Sequence, residues 1–316
     1  MDKKTITRSI RNFLGFSILR ISLLLTSISP RGAIYKITPL IARIGYFFSG
    51  RNRRIAQEGL DIAFGGSFNH SQTKQVIIGS FQEMATGALE TAFLLNKPHA
   101  FDDKIKLIGS EHLRKALSAG KGAVAVSAHF GNFVLLVANL SRNGFPIGVV
   151  VRPMRDEKMN RYFSQKRQEF RIETVYSKPA KECVDKSLAF LKKNGVLFNM
   201  LDQNFGAGSG VFVDFFGTQA ATATGPVVLA LRSKAPILPV FIIRKPDHSQ
   251  EIIVEPELAI EKQDNFDRTV IHNISRLTKI IEGYIRKYPT QWSWIHRRWK
   301  SRPSNKAITY GAGTAT

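Results

Sequence analysis

Gly122-Ala123-Val124-Ala125-Val126-Ser127-Ala128-His129-Phe130-Gly131-Asn132-Phe133-Val134-Leu135-Leu136-Val137-Ala138-Asn139-Leu140 is the stretch on which the reading of this chain turns. A short apolar run (Gly122–Val126), within a stretch 122–128, has the length and β-branched content of a buried strand. A second apolar run, Phe133 to Leu140, opens a stretch to Asn143 that is long enough for a helix. Between them lies one histidine, at the exit of the strand. Open α/β sheets bind their ligands at the carboxyl ends of strands, and an imidazole at such a junction is well placed to act as a general base.

The same alternation continues downstream. Strands are expected at Ile147–Val151, Thr174–Tyr176, Val196–Leu201, Ile237–Ile243 and Glu251–Val254. Helices are expected at Glu157–Phe170, Ala180–Lys193, Val227–Ser233 and Val270–Lys287. Strands alternating with helical patterns predict an α/β protein with a mixed, mostly parallel sheet covered by helices. Upstream, residues 51–97 read as helices. After the Gly65-Gly66 break, Val76, Ile77, Phe81, Met84, Ala88 and Phe93 recur at three-to-four spacing and form a core stripe.

The first fifty residues differ in character. Phe13–Ile28 is mostly apolar but carries Arg20, and it follows Lys3, Lys4, Arg8 and Arg11. A spanning helix needs about 20 apolar residues, and a central arginine costs about 2.5–3.5 kcal/mol on insertion. The stretch therefore predicts N-terminal membrane-associated helices that lie in the interface, with Pro30 and Pro39 dividing the region. The chain is expected to comprise a membrane-anchoring segment (1–50), a main domain (51–302) and a flexible tail (303–316).

Charge points the same way. Lys and Arg outnumber Asp and Glu 46 to 24, a formal charge of +22 in 316 residues. Such an excess implies an anionic partner. Residues 1–60 hold eleven Lys/Arg against Asp2 and Glu58, interleaved with apolar stretches. This suits an anionic membrane surface better than nucleic acid, for which no zinc-finger, RNP-like or basic-zipper pattern is present. Basic residues flanking the apolar segment favour the cytoplasmic side. The single Cys183 excludes an intramolecular disulfide, and the seven histidines lack metal-ligand spacing. Gly206-Ala207-Gly208-Ser209-Gly210 lacks the strand-then-helix setting of a dinucleotide site.

Other polar groups gather at the expected strand ends: Arg152 after Ile147–Val151, and Asp202-Gln203-Asn204 after Val196–Leu201. Phe215-Phe216-Gly217 and Thr222-Ala223-Thr224-Gly225-Pro226 follow, the latter opening a helix. Arg152 suits an anion or the charge developing on a carbonyl oxygen, or else forms a structural ion pair. The Gly217 and Gly225 regions offer backbone N–H groups for phosphate or an oxyanion. Trp292, Trp294 and Trp299 form either an interfacial belt or a packing element closing the fold.

In combination, these motifs resemble a known family. His129-Phe130-Gly131-Asn132, Val151-Arg152-Pro153, Asp202-Gln203, the run from Gly210 to Gly217, Ala221 to Pro226, Leu231-Arg232 and Pro239-Val240-Phe241 are similar to the bacterial lipid A late acyltransferases. So are Arg53-Arg54-Ile55-Ala56 and the segment Gln291 to Trp299. These are the lauroyl and myristoyl transferases of the lysophospholipid acyltransferase superfamily. The likeness runs from about Arg51 to Lys300, and it implies a glycerol-3-phosphate acyltransferase-like fold. It also implies transfer of a fatty acyl chain from acyl carrier protein to the hydroxyl of a phosphorylated lipid, at the cytoplasmic face of the inner membrane. The acyl thioester is the co-substrate, and no cofactor or metal is required.

By that resemblance His129 is the base, with Arg152 and Asp202 as further catalytic residues. Gly131, Asn132, Gln203, Gly217, Thr224, Gly225 and Arg232 are the expected substrate-binding set. The family pairs its histidine with a carboxylate in a His-x4-Asp/Glu motif, and that slot holds Val134 here. Three readings follow. A carboxylate from elsewhere substitutes, Asp202 first among the candidates; or His129 works alone and slowly; or the protein is a non-catalytic relative that binds lipid or carrier. Asn132 is also expected within reach of the ring as a neutral hydrogen-bond acceptor.

Overall fold

The computed structural model describes residues 3–206 and 210–303, with side chains from residue 15 onward. The flexible tail expected over 303–316 lies, beyond Pro303, outside the described residues, as do residues 207–209 of the glycine-rich stretch.

The opening apolar run forms strand β2 (Ala123–Ser127), every residue of it buried. Its side chains alternate between two cores, as a pleated strand requires. Val124 and Val126 join one apolar cluster, Ala123 and Ala125 the other. A strand covered on both faces reads as a continuous apolar run, which is why its sequence shows no alternation. The turn at His129 leads into α6 (Phe133–Arg142), capped by the Asn132 side chain accepting from Leu135 N–H.

The other strands in chain order are β1 (Ile105–Ile108), β3 (Ile147–Val151), β4 (Glu173–Tyr176), β5 (Val196–Met200), β6 (Val211–Phe215), β7 (Thr218–Thr222), β8 (Ile237–Arg244) and β9 (Gln250–Val254). Seven build one sheet in the order β1-β9-β8-β2-β5-β3-β4. All neighbours are parallel except β8 and β9, so β1 and β9 run against the other five. The remaining helices are α1 (Lys3–Ile28), α2 (Ala33–Phe48), α3 (Gly50–Phe64), α4 (His70–Asn96), α5 (Ser110–Ser118), α7 (Glu157–Glu169), α8 (Ala180–Lys192), α9 (Gly225–Ser233) and α10 (Phe266–Lys287). The expected mixed, mostly parallel sheet with helical cover is the architecture found.

Three local expectations are corrected. The residues from Gly210 to Thr222 form an antiparallel hairpin, β6–β7, closed by Phe216 and Gly217 at positive φ (58° and 75°). That pair of left-handed residues is what a tight two-residue hairpin turn demands. Pro39 does not divide the N-terminal region but sits inside α2. The lost backbone bond at such a site, about 3 kcal/mol, is offset by packing of α2 against α4, where Ile34, Thr38 and Ala42 are buried. In α4, which starts with an Asn69–Gln72 capping box, Ala88 faces solvent and Glu90 takes the buried position.

Among the described residues no helix is long and apolar enough to cross a membrane. The described parts of α1 and α2 nonetheless present Ile18, Leu24, Ile28, Leu40, Phe47 and Phe48 to the outside. Both helices are tied to the body of the protein: Asn96 donates to Leu23 O, and the Tyr35 hydroxyl to Glu90.

Candidate active site

Sheet register brings the first two catalytic candidates together. β2 and β5 are parallel neighbours with Ser127 opposite Met200. Two residues past each strand lie His129 and Asp202, so the histidine and the carboxylate leave the sheet side by side. The ring Nδ1 of His129 is 2.9 Å from Asp202 Oδ1, and the backbone N–H of His129 donates to Asp202 Oδ2 at 3.0 Å. The indole N–H of Trp292 donates to the same Oδ2 at 2.8 Å. Asp202 is 3% exposed and the His129 side chain 27%.

An ionised carboxylate only accepts, so Nδ1 carries the proton and the lone pair of the neutral ring is left on Nε2. The Gln203 amide nitrogen is 3.3 Å from that Nε2. Burial pushes Asp202 upward, but the charge and hydrogen bonds of His129, with those of Trp292, hold it below the usual carboxylate range. Burial pulls His129 down, and Asp202, by charge and hydrogen bond, more than compensates, leaving the imidazole above its ordinary value. Opposed shifts of this kind keep the carboxylate ionised beside a proton-accepting ring.

The C-terminal segment finishes the site. Phe130 forms an antiparallel bridge with Trp292, Gly131 N–H donates to Gln291 O, and Ser293 N–H to His129 O. Trp292, Trp294 and Trp299 are all buried, so of their two expected uses packing is the one found. Arg298, fully buried, donates to the carbonyls of Gln203 and Ala221 and to Thr222 Oγ1, tying the loop after Asp202 to the hairpin. Burial pulls its guanidinium down to about 10.

Several expected binding residues are engaged otherwise. Asn132 does not meet the His129 ring. Its oxygen caps α6, and its amide donates to Glu90 Oε2 at 3.0 Å and to Gly87 O. Gly131 stands at φ +53°, where a Cβ would collide with the Ile242 carbonyl, and its N–H is spent on Gln291. Gly217 lies at the hairpin turn, roughly 16 Å along the strand from Thr222, and its N–H donates to Asp214. Thr224 and Gly225 begin α9 beside the end of β7, whereas Arg232 is exposed in the last turn of that helix. Arg152 is exposed just past β3 and, among the described residues, has no carboxylate partner.

Val134 does not approach the dyad as a substitute. It is part of the apolar packing of α6.

Sequence reasoning missed a buried ionic cluster behind the site. Glu90, at 0% exposure, receives both terminal nitrogens of Arg244, the Tyr35 hydroxyl, the Gln250 amide and the Asn132 amide. Glu83 holds Arg244 from the other side at 2.8 Å. The cluster braces Asn132 and through it the turn that carries His129. Only its spacing on α4, one turn after Thr86, could have signalled Glu90.

Three relatives are similar over most or a large part of the chain. A lipid A biosynthesis lauroyltransferase of Escherichia coli is 26% identical over 287 residues, covering 89% of this chain and 90% of the relative. A lipid A biosynthesis palmitoleoyltransferase of the same organism is 26% identical over 271 residues, 83% of each. A phosphatidylinositol mannoside acyltransferase of Mycolicibacterium smegmatis is 28% identical over 201 residues, covering 62% of this chain and 63% of the relative. The sequence profile of the bacterial lipid A biosynthesis acyltransferases matches residues 1–301. A match spanning the whole sheet and both dyad residues leaves one assignment: the chain belongs to that family and is an acyltransferase.

Proposed function

We propose that this protein is a membrane-associated O-acyltransferase that moves a fatty acyl chain from acyl carrier protein to a lipid hydroxyl. A lipid A precursor or a related (lyso)lipid is the acceptor, at the cytoplasmic face of the bacterial inner membrane. Residues 1–50 act as the membrane-anchoring segment and 51–302 as the catalytic domain. The observation that carries this reading is the 2.9 Å contact of His129 Nδ1 with a buried Asp202, which leaves the base lone pair on Nε2, facing the Gln203 amide at 3.3 Å.

Nε2 removes the acceptor proton as the hydroxyl oxygen attacks the thioester carbonyl. Asp202 stabilises the imidazolium that forms. Arg152, just past β3, and the second hydrogen of the Gln203 amide are the groups assigned to the tetrahedral oxyanion, since the Gly131 N–H is already committed to Gln291. Collapse breaks the C–S bond, and the departing thiolate takes the proton from Nε2. With Asp202 in the orienting position, the missing carboxylate at Val134 gives little reason to favour a non-catalytic binding relative. The relatives, acyltransferases of lipid A and of phosphatidylinositol mannoside, support a glycolipid acceptor. The apolar surface of α1 and α2, with the chain's excess positive charge, supports attachment to an anionic bilayer.

The test is acyl transfer by purified protein, with acyl carrier protein thioesters and a panel of lipid acceptors. Transfer that disappears in His129→Ala supports the proposal. Transfer that survives His129→Ala at the wild-type rate refutes the assigned chemistry.

A further inference from the structure

The buried cluster behind the site reaches outward as well as toward the base. Tyr35 sits in the first turn of α2, the helix that turns Leu40, Ile44, Phe47 and Phe48 to the outside. Its hydroxyl crosses to α4 and donates to Glu90 Oε1 at 3.0 Å. The other oxygen of the same carboxylate, Oε2, accepts from the Asn132 amide at 3.0 Å. Asn132 stands three residues past His129 and uses its side-chain oxygen to cap α6 at Leu135 N–H. One carboxylate thus joins the outer helix to the turn of the base. Glu90 is 0% exposed, so solvent does not replace a donor lost from it, and the remaining partners must shift to satisfy it.

The link is held at both ends. The Tyr35 ring stacks on His248, in the turn between β8 and β9, with centroids 3.9 Å apart and planes 2° from parallel. Burial first, then the charge and hydrogen bond of Glu90, push the phenol above its ordinary range, so it stays a donor. Arg244 closes the assembly from the sheet. Its guanidinium binds both Glu90 oxygens and Glu83. Its backbone N–H and carbonyl are clamped by the Gln291 side chain at 2.9 and 2.8 Å. The Gln291 carbonyl in turn accepts the Gly131 N–H. A single polar assembly therefore grips Gly131 and Asn132, the second and third residues after the base. Thr38, further along α2 and fully buried, offers a contrast. Its hydroxyl has no hydrogen-bond partner among the described residues.

We propose that Tyr35 is a positioning residue for the base: through Glu90 and Asn132, the seating of α2 on α4 sets the turn that carries His129. The inference rests on the acyl-transfer reading above, and it gives the outer helix a part in the chemistry besides attachment.

Tyr35→Phe tests it in the full-length protein, because it deletes the hydroxyl and keeps the ring. Asn132→Ser keeps an oxygen for the α6 cap but removes the amide that reaches Glu90. Thr38→Val is the control, since it takes a hydroxyl from α2 without cutting the link. Thermal melting verifies that each variant folds. Tyr35→Phe is expected to lower kcat about fivefold and leave KM nearly unchanged. In the Asn132→Ser background the same change should have no further effect, because the link is already cut. Thr38→Val should keep the wild-type kcat. A loss in Thr38→Val as large as in Tyr35→Phe would overturn the proposal, and so would losses that simply multiply when Tyr35→Phe and Asn132→Ser are combined. Amide hydrogen exchange gives a readout that needs no turnover. Leu135 and Leu136 N–H, both accepted by Asn132, should exchange about tenfold faster in Tyr35→Phe and at the wild-type rate in Thr38→Val. Unchanged exchange in Tyr35→Phe would also overturn the proposal. Faster exchange in a protein that transfers no acyl chain to any acceptor would keep the coupling and sink the acyl-transfer reading.

Discussion

Replacing Asp202 with asparagine keeps its size and removes its charge, which isolates the electrostatic part of the dyad. The carboxylate and imidazolium touch at 2.9 Å between Nδ1 and Oδ1; their charge centres are about 4 Å apart. At an effective dielectric of about 20, that attraction is worth about 4 kcal/mol, or about three orders of magnitude in rate. Asparagine also offers the ring either an acceptor or a donor, so the tautomer with its lone pair on Nε2 is no longer enforced. The expected outcome is a kcat about 10³-fold lower with little change in KM. The pH dependence carries an independent sign. A base must be neutral to work, so wild-type activity rises with pH through a midpoint above the ordinary histidine value of 6.5, because Asp202 holds His129 up. With the carboxylate neutralised, burial alone remains and lowers the midpoint. Initial rates between pH 5 and 9 with saturating donor would measure both. A variant that keeps wild-type kcat, or one whose midpoint moves upward, would refute the assignment of Asp202 as the orienting acid.

Trp292→Phe removes one charge-assisted donor to Asp202 while retaining an aromatic ring; kcat should fall about tenfold. Its pH midpoint should not fall, in contrast to Asp202→Asn, and a fall would argue that the indole acts on the base in another way. Glu90→Gln unbalances the buried cluster around Arg244 and should cost about 3 kcal/mol, read as a melting temperature about 5–10 °C lower; an unchanged melting curve would show the cluster to be neutral. Leu40→Ser/Phe47→Ser/Phe48→Ser strips apolar surface from α2 and should weaken flotation with anionic liposomes by about a hundredfold. Undiminished flotation would place the membrane contact elsewhere.

Six of the seven strands of the sheet were legible as short runs closed by turn signals, with helices of three-to-four spacing between them; β1, which carries Lys106 and has no fully buried residue, was not. Strand order was not, because β2 lies between β5 and β8, whose residues come some 70 to 110 positions later in the chain. That order is what puts Asp202 beside His129. Asp202 could be nominated from its place at a strand end, but the 2.9 Å contact depends on a register that no local pattern encodes. The stretch from Gly210 to Thr222 misled for the opposite reason. Its glycines look like an anion-binding loop, yet Phe216 and Gly217 take left-handed conformations to turn a hairpin. Asn132 was read as a partner of the ring, but a residue three positions on from His129 and at a helix start satisfies α6 first. Glu90 was invisible, since a glutamate inside an amphipathic helix reads as a solvated position until the opposing Arg244 is known.

Translation delivers the dyad long before its keystone. His129 and Asp202 have both emerged when Trp292 is still some ninety residues away. Until Gln291, Trp292 and Ser293 dock against the turn at Phe130 and Gly131, the carboxylate lacks its third hydrogen bond and the turn lacks its backbone partners. A nascent chain would therefore hold an unfinished base until that last segment docks. Chains broken off before residue 291 should accumulate as protein of much reduced activity.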